Sequence, residues 1–173
     1  MDLPKRKENR LKGYDYSCPG MYFVTVCTER RTPLFWTEDT EREGCRVGAN
    51  CVRPPDGFCL SAEGRLVAAQ IERWPELYPG IRAVQYVVMP NHLHILLEIS
   101  PGENGRTQFA PTGPVALSRI IKQFKGAVSK GAGRPLWQKG FYESVIRSEQ
   151  HLLDVWQYIV ENPRKWTDDE YYT

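Results

Sequence analysis

The chain has 173 residues, 41% of them hydrophobic and 25% charged, with a formal net charge of +2. That length suits one compact domain with a core of its own, and the charged fraction argues against wholesale disorder and against a coiled coil. No apolar run approaches the roughly 18 residues of a membrane span; the opening residues MDLPKRK hold no apolar signal core, so a cytoplasmic protein is expected. The five cysteines match no common zinc spacing and read as free thiols.

Residues 1–19 form a basic arm, with Lys5, Arg6, Lys7, Arg10 and Lys12. Met21–Thr28 is β-branched and aromatic with alternation, which predicts a strand. Residues 37–60 carry three cysteines and no clear period; they read as a long excursion without an assigned role. Ser61 followed by Glu63 opens an amphipathic helix to Leu77, with Leu66, Ala69 and Trp74 on its apolar stripe. Ala83–Met89 and His92–Ile99 are two strands joined at Pro90-Asn91, a tight turn signal. Residues 101–114 hold three prolines and three glycines and read as a loop. Val115–Ser129 is a second amphipathic helix, Leu136–Arg147 a further extended segment, and Ser148–Glu161 a third helix, capped by Ser148 and stopped by Pro163.

The order predicts an α+β protein: a ferredoxin-like (RRM-like) antiparallel sheet with two helices on one face and an appended C-terminal helix on the other. One domain then spans 20–166, between the arm and a tail at 167–173.

Side chains alternate along a strand, so His92 and His94 share a face with Glu98, while Leu93, Ile95, Leu97 and Ile99 form an unbroken apolar row on the other. Two imidazoles so placed can converge on one metal ion, and a hydrogen-bonded surface pair is the alternative. On the last helix Leu152, Trp156 and Ile159 form the expected apolar stripe, with Tyr158 and Asn162 stacked four apart at its border. A helix laid over the histidine face would bring a phenol and an amide to the imidazoles; taken alone, Tyr158 also suits a packing role. Glu98 reads as a surface carboxylate, and Glu143 and Arg147 as a structural pair without catalytic role.

The small net charge conceals a partition. Residues 117–147 hold seven Lys/Arg against one acid, a local +6, and form the candidate surface for a polyanion. The candidates are Arg119, Lys122, Lys125, Lys130, Arg134, Lys139 and Arg147, with Trp137 and Phe141 interleaved where they can stack unpaired bases or serve the core.

Three segments carry a resemblance. VVMPNHLHILLEI resembles the HUH motif of single-tyrosine transposases; LWQKGFYESVIRSE and YIVENPRKW are similar to the signature of the REP-associated tyrosine transposases, and YFVTVCTERRTPLF fits that family's first strand. The resemblance runs from about Tyr14 to Trp166. It implies that Tyr158 is the nucleophile, with Tyr142 next in line, that His92 and His94 are metal ligands, and that Asn162 is the third ligand where insertion-sequence relatives usually carry Gln. It further implies Mg²⁺ or Mn²⁺ as cofactor, single-stranded DNA with a hairpin as partner, and nicking and rejoining through a 5′-phosphotyrosine by a monomer or homodimer. A non-catalytic single-strand-binding module and a water-using, metal-dependent phosphodiesterase are the competing readings.

Overall fold

The computed structural model describes residues 18–40, 46–101, 116–168 and 171. The candidate DNA contacts Lys5, Arg6, Lys7, Arg10 and Lys12 lie outside the described residues.

In chain order the strands are β1 (Gly20–Cys27), β2 (Trp36–Glu38), β3 (Cys51–Val52), β4 (Phe58–Leu60), β5 (Ile81–Val88), β6 (His92–Ile99) and β7 (Tyr142–Val145). The helices are α1 (Ala62–Glu72), α2 (Trp74–Leu77), α3 (Leu117–Gly131) and α4 (Glu149–Glu161), with 3-10 turns at Glu29–Arg31 and Asn162–Asp168. The protein is α+β. Its main sheet has the order β3-β5-β6-β1-β7. The expected all-antiparallel sheet needs one correction: β3 adds to β5 in parallel, Cys51 and Val52 lying opposite Tyr86 and Val87. The excursion at 37–60 thus supplies an edge strand, and it also supplies β4, which pairs with β2 in a separate ribbon.

The sheet separates two layers. Tyr22, Val24 and Val26 of β1 and Leu93, Ile95 and Leu97 of β6, all at 0% exposure, pack against α1 and α3 as the alternation predicts. The expected stripe of α1 is rotated: Val67, Ala68 and Ile71 are buried, whereas Ala69 is exposed. Ser61 caps α1 by accepting from Gly64 N at 3.0 Å. Glycine is needed at 64 because a Cβ would stand 2.3 Å from the Phe35 carbonyl oxygen. One long helix from 61 to 77 was expected; it breaks at Arg73, where the chain restarts through Pro75 as α2.

The other face carries a smaller core of Val87, Met89, Leu96, Val155 and Ile159, over which α4 lies. Ser148 caps α4 as expected, accepting from His151 N at 3.1 Å. The apolar stripe predicted for this helix is corrected, since Val155 and Ile159 turn inward and Trp156 is 40% exposed. The extended segment at 136–147 is strand only over Tyr142–Val145, paired with Tyr22–Thr25, preceded by an isolated bridge between Thr28 and Trp137.

Candidate active site

Strand pairing sets the site. His92 and His94 stand on the α4 side of β6, and the register places Thr25 opposite His94. Both rings are buried, at 0% and 1% exposure, and their Nε2 atoms approach to 3.0 Å. Each ring is held from behind. Thr25 Oγ1 lies 2.8 Å from His94 Nδ1, and Asn91 Oδ1 lies 2.8 Å from His92 Nδ1. The Asn91 amide orientation follows from its other end, where Nδ2 donates to the carbonyls of Arg31 at 3.1 Å and Tyr171 at 2.7 Å. Its Oδ1 can only accept, so His92 carries its proton on Nδ1 and turns the Nε2 lone pair inward. The Thr25 hydroxyl accepts or donates and so serves either tautomer of His94.

Burial keeps both imidazoles neutral. It pushes His94 down to about 3. His92 is held well below the usual histidine range by burial first, then by His94 and by the charge of Arg31. With His92 Nε2 unprotonated, the 3.0 Å contact makes His94 Nε2 its donor in the metal-free protein; a cation between the rings would need that proton moved to Nδ1, where Thr25 Oγ1 can accept it.

α4 brings the remaining groups. Tyr158 is 41% exposed, yet its hydroxyl reaches to 3.3 Å from His94 Nε2. Asn162, one turn further on, is 3% exposed, and its Oδ1 is buried without a hydrogen-bond partner. An orphaned amide oxygen costs about 1–3 kcal/mol unless something satisfies it. An unsatisfied amide oxygen one turn beyond Tyr158, on the helix that covers the histidine face, has the chemistry of a third ligand for a divalent ion. Among the described residues no cluster of three or more His, Cys, Asp and Glu is placed to hold a metal, so a cation here depends on the amide joining the histidines.

The sequence reading passed over Thr25, Asn91, Arg31 and Tyr171. Tyr171, in the segment read as a tail, is buried with its ring centroid 4.5 Å from that of His92 and 6.1 Å from that of His94. The Arg31 guanidinium lies 4.8 Å over the Tyr171 ring. Thr25 and Arg31 lie within the first-strand motif and Asn91 within the histidine motif; Tyr171 lies outside all of them.

The basic candidates do not converge on this site. Arg119, Lys122, Lys125 and Lys130 lie on α3, in the layer across the sheet from the histidines. Lys125 Nζ donates to the carbonyls of Gln138 and Gly140 at 2.7 and 2.8 Å, and burial lowers its pKa. Arg134 pairs with Glu63 at 2.8 Å, and Lys139 and Arg147 are exposed near β7. Trp137 is packed against Phe35 and Phe124 and donates to Lys125 O at 3.1 Å, and Phe141 is packed against the same core, each ring being half-buried. Glu98 pairs with Arg82 across the β5–β6 ladder, at the far end of β6 from the imidazoles.

No family model matches the chain. An uncharacterized protein of Haemophilus influenzae is 29% identical over 182 residues, covering 96% of this chain and 93% of that protein. A second protein of the same organism, provisionally named a REP-associated tyrosine transposase, is 23% identical over 159 residues, covering 87% of this chain and 74% of the other. Among solved structures, a REP-associated tyrosine transposase bound to a REP hairpin superposes with a TM-score of 0.58 at 19% identity, covering 91% of this chain and 73% of that one. The resemblance carried by the sequence motifs is thus matched by similarity to a protein provisionally named a REP-associated tyrosine transposase and by the fold of a solved one.

Proposed function

We propose that the chain is a metal-dependent, transposase-like transesterase that nicks and rejoins single-stranded DNA near hairpins, with Tyr158 as nucleophile. The observation that carries this reading is the approach of the Tyr158 hydroxyl to His94 Nε2 at 3.3 Å, and the buried, unsatisfied Oδ1 of Asn162 one turn further along the same helix supports it. His92, His94 and Asn162 are the residues that would hold Mg²⁺ or Mn²⁺, and two imidazoles in the set favour Mn²⁺. Once bound, such an ion polarises the scissile phosphate and offsets the charge that develops on it.

The chain's own residues do the rest. Asn91 and Thr25 hold the rings, burial keeps them neutral, and the half-exposed phenol stands where a phosphodiester can reach it. The Tyr158 hydroxyl gives up its proton as its oxygen attacks phosphorus, the bond from phosphorus to the 3′ oxygen breaks, and that oxygen leaves with the electron pair and takes up one proton, so none is gained or lost overall. The products are a 5′-phosphotyrosine and a free 3′-hydroxyl. Attack by a 3′-hydroxyl on this linkage reseals the DNA and restores the phenol without an external energy source. Tyr158 reaches His94 of its own chain, which supports a site that works within a single protomer. The order β7-β1-β6-β5 in the main sheet, with α1 and α3 on one face, supports a ferredoxin-like core. The hairpin partner is carried over from the solved relative of the same fold. A purely binding module would need open aromatics on the face that α4 covers, which weighs against that reading.

The test is incubation with a labelled single-stranded hairpin and Mn²⁺, followed by a denaturing gel. A DNA adduct that survives denaturation is expected for the wild type and not for Tyr158→Phe. Cleavage without an adduct would favour a phosphodiesterase using water, and an adduct in the variant would move the nucleophile to Tyr142.

A further inference from the structure

A cavity of about 500 Å³ opens between α4 and the edge strand β7, and it shares His94 and Tyr158 with the candidate active site. Its volume falls within the roughly 300–1,000 Å³ of small-molecule sites. Phe23 and His94 stack on each other at the base of the cavity, with centroids 5.2 Å apart and 24° between planes, and His94 is buried. Tyr158 meets Phe23 edge-on at 6.0 Å, and the exposed Tyr142 lines the cavity on the β7 side. At spacings of three and four, α4 turns His151, Asp154 and Tyr158 to the cavity as one row. Gln150 Nε2 donates to Asp154 Oδ1 at 2.8 Å, which orients the carboxylate.

We propose that this cavity receives the nucleobase adjoining the phosphate that Tyr158 attacks, and that Asp154 selects a base carrying an exocyclic amine. The inference deepens the transesterase reading and rests on it for the identity of the neighbouring phosphate. Its physical basis is the contrast between open rings and a carboxylate. The half-exposed rings of Tyr142 and Tyr158 offer every base a stacking surface, whatever its sequence. A carboxylate beside a DNA backbone repels phosphate, so it suits a place where a base edge approaches instead. It accepts hydrogen bonds and donates none, which matches the exocyclic amines at cytosine N4, adenine N6 or guanine N2, whereas the one thymine donor, N3–H, lies between two carbonyl oxygens that the carboxylate repels. A base seated here leaves its own phosphate at the Tyr158 hydroxyl, because that side chain forms the wall common to both sites.

The experiment is an NMR titration of the full chain with dCMP, dAMP, dGMP and dTMP. dTMP is expected to bind about tenfold more weakly than the other three. Asp154→Asn, whose amide both donates and accepts, is expected to erase that difference, and Ser144→Phe, which places a ring into the cavity from β7, to weaken all four. Equal affinities in the wild type, or a ranking indifferent to either substitution, would overturn the proposal. The titration needs no cleavage: the expected ranking in a protein that forms no DNA adduct removes the transesterase reading alone, whereas an adduct with a flat ranking removes the base pocket alone.

Discussion

Asn91 orients His92: its Oδ1 faces the ring Nδ1 at 2.8 Å while its Nδ2 is committed to the carbonyls of Arg31 and Tyr171. The side chain is fully buried, so Asn91→Ala leaves two carbonyls and a ring N–H without their partner. Loss of such an orienting group typically costs 10–100-fold in metal affinity, and the orphaned polar atoms cost about 1–3 kcal/mol each. Calorimetric titration with Mn²⁺ and urea denaturation check both numbers. Unchanged Mn²⁺ affinity would remove Asn91 from the support of the site.

Thr25 does the same for His94 from the facing strand, and here the shape can be kept. Thr25→Val removes the hydroxyl 2.8 Å from Nδ1 and preserves the packing of a residue 4% exposed. The expected result is a stability loss of about 1 kcal/mol with weakened Mn²⁺ binding, restored by Thr25→Ser. A Val variant that binds Mn²⁺ as tightly as the wild type would show that strand packing alone fixes the ring.

These two supports mark the limit of what the sequence displays. The histidine face of β6 was legible because alternation is local: Leu93, Ile95 and Leu97 announce one side and therefore the other. The caps Ser61 and Ser148 were legible for the same reason, each bonding three residues ahead. Asn91 was not, because Pro90-Asn91 already explains itself as a turn, and its partners Arg31 and Tyr171 lie 60 and 80 residues away. The parallel pairing of β3 is equally non-local and rests on two residues. On α4 the bulk of Trp156 suggested the buried face, but the core beneath the helix is small and takes Val155 and Ile159.

Asn162 is a place where binding and stability oppose each other. Its buried Oδ1 is unsatisfied, so Asn162→Leu, of similar size, is expected to stabilise the metal-free protein by about 1 kcal/mol. The same substitution removes a proposed ligand. Mn²⁺ at a hundredfold excess over its dissociation constant stabilises a binding protein by about 2.7 kcal/mol, and thermal unfolding with and without Mn²⁺ should show that gain in the wild type only. A Leu variant still stabilised by Mn²⁺ would place the ion elsewhere.

The turn at Glu29–Arg31 carries backbone strain beside the site. Arg30 and Arg31 both have φ of 55°, a left-handed conformation that non-glycine residues take at a cost of about 1–2 kcal/mol each. Bonds around the turn over-determine it: Arg31 N donates to Thr28 O and Thr32 N to Glu29 O, both at 3.2 Å, and Thr28 Oγ1 reaches the Thr32 and Asn91 carbonyls. Glycine relieves the strain without disturbing those bonds, so Arg30→Gly is expected to raise stability by about 1 kcal/mol in urea denaturation. Arg31→Gly relieves the same strain but removes the guanidinium from the Tyr171 ring and its charge from the neighbourhood of His92. Its stability gain should therefore be smaller than that of Arg30→Gly. Equal gains from the two substitutions would show that the Arg31 side chain contributes nothing to holding Tyr171 over the histidines.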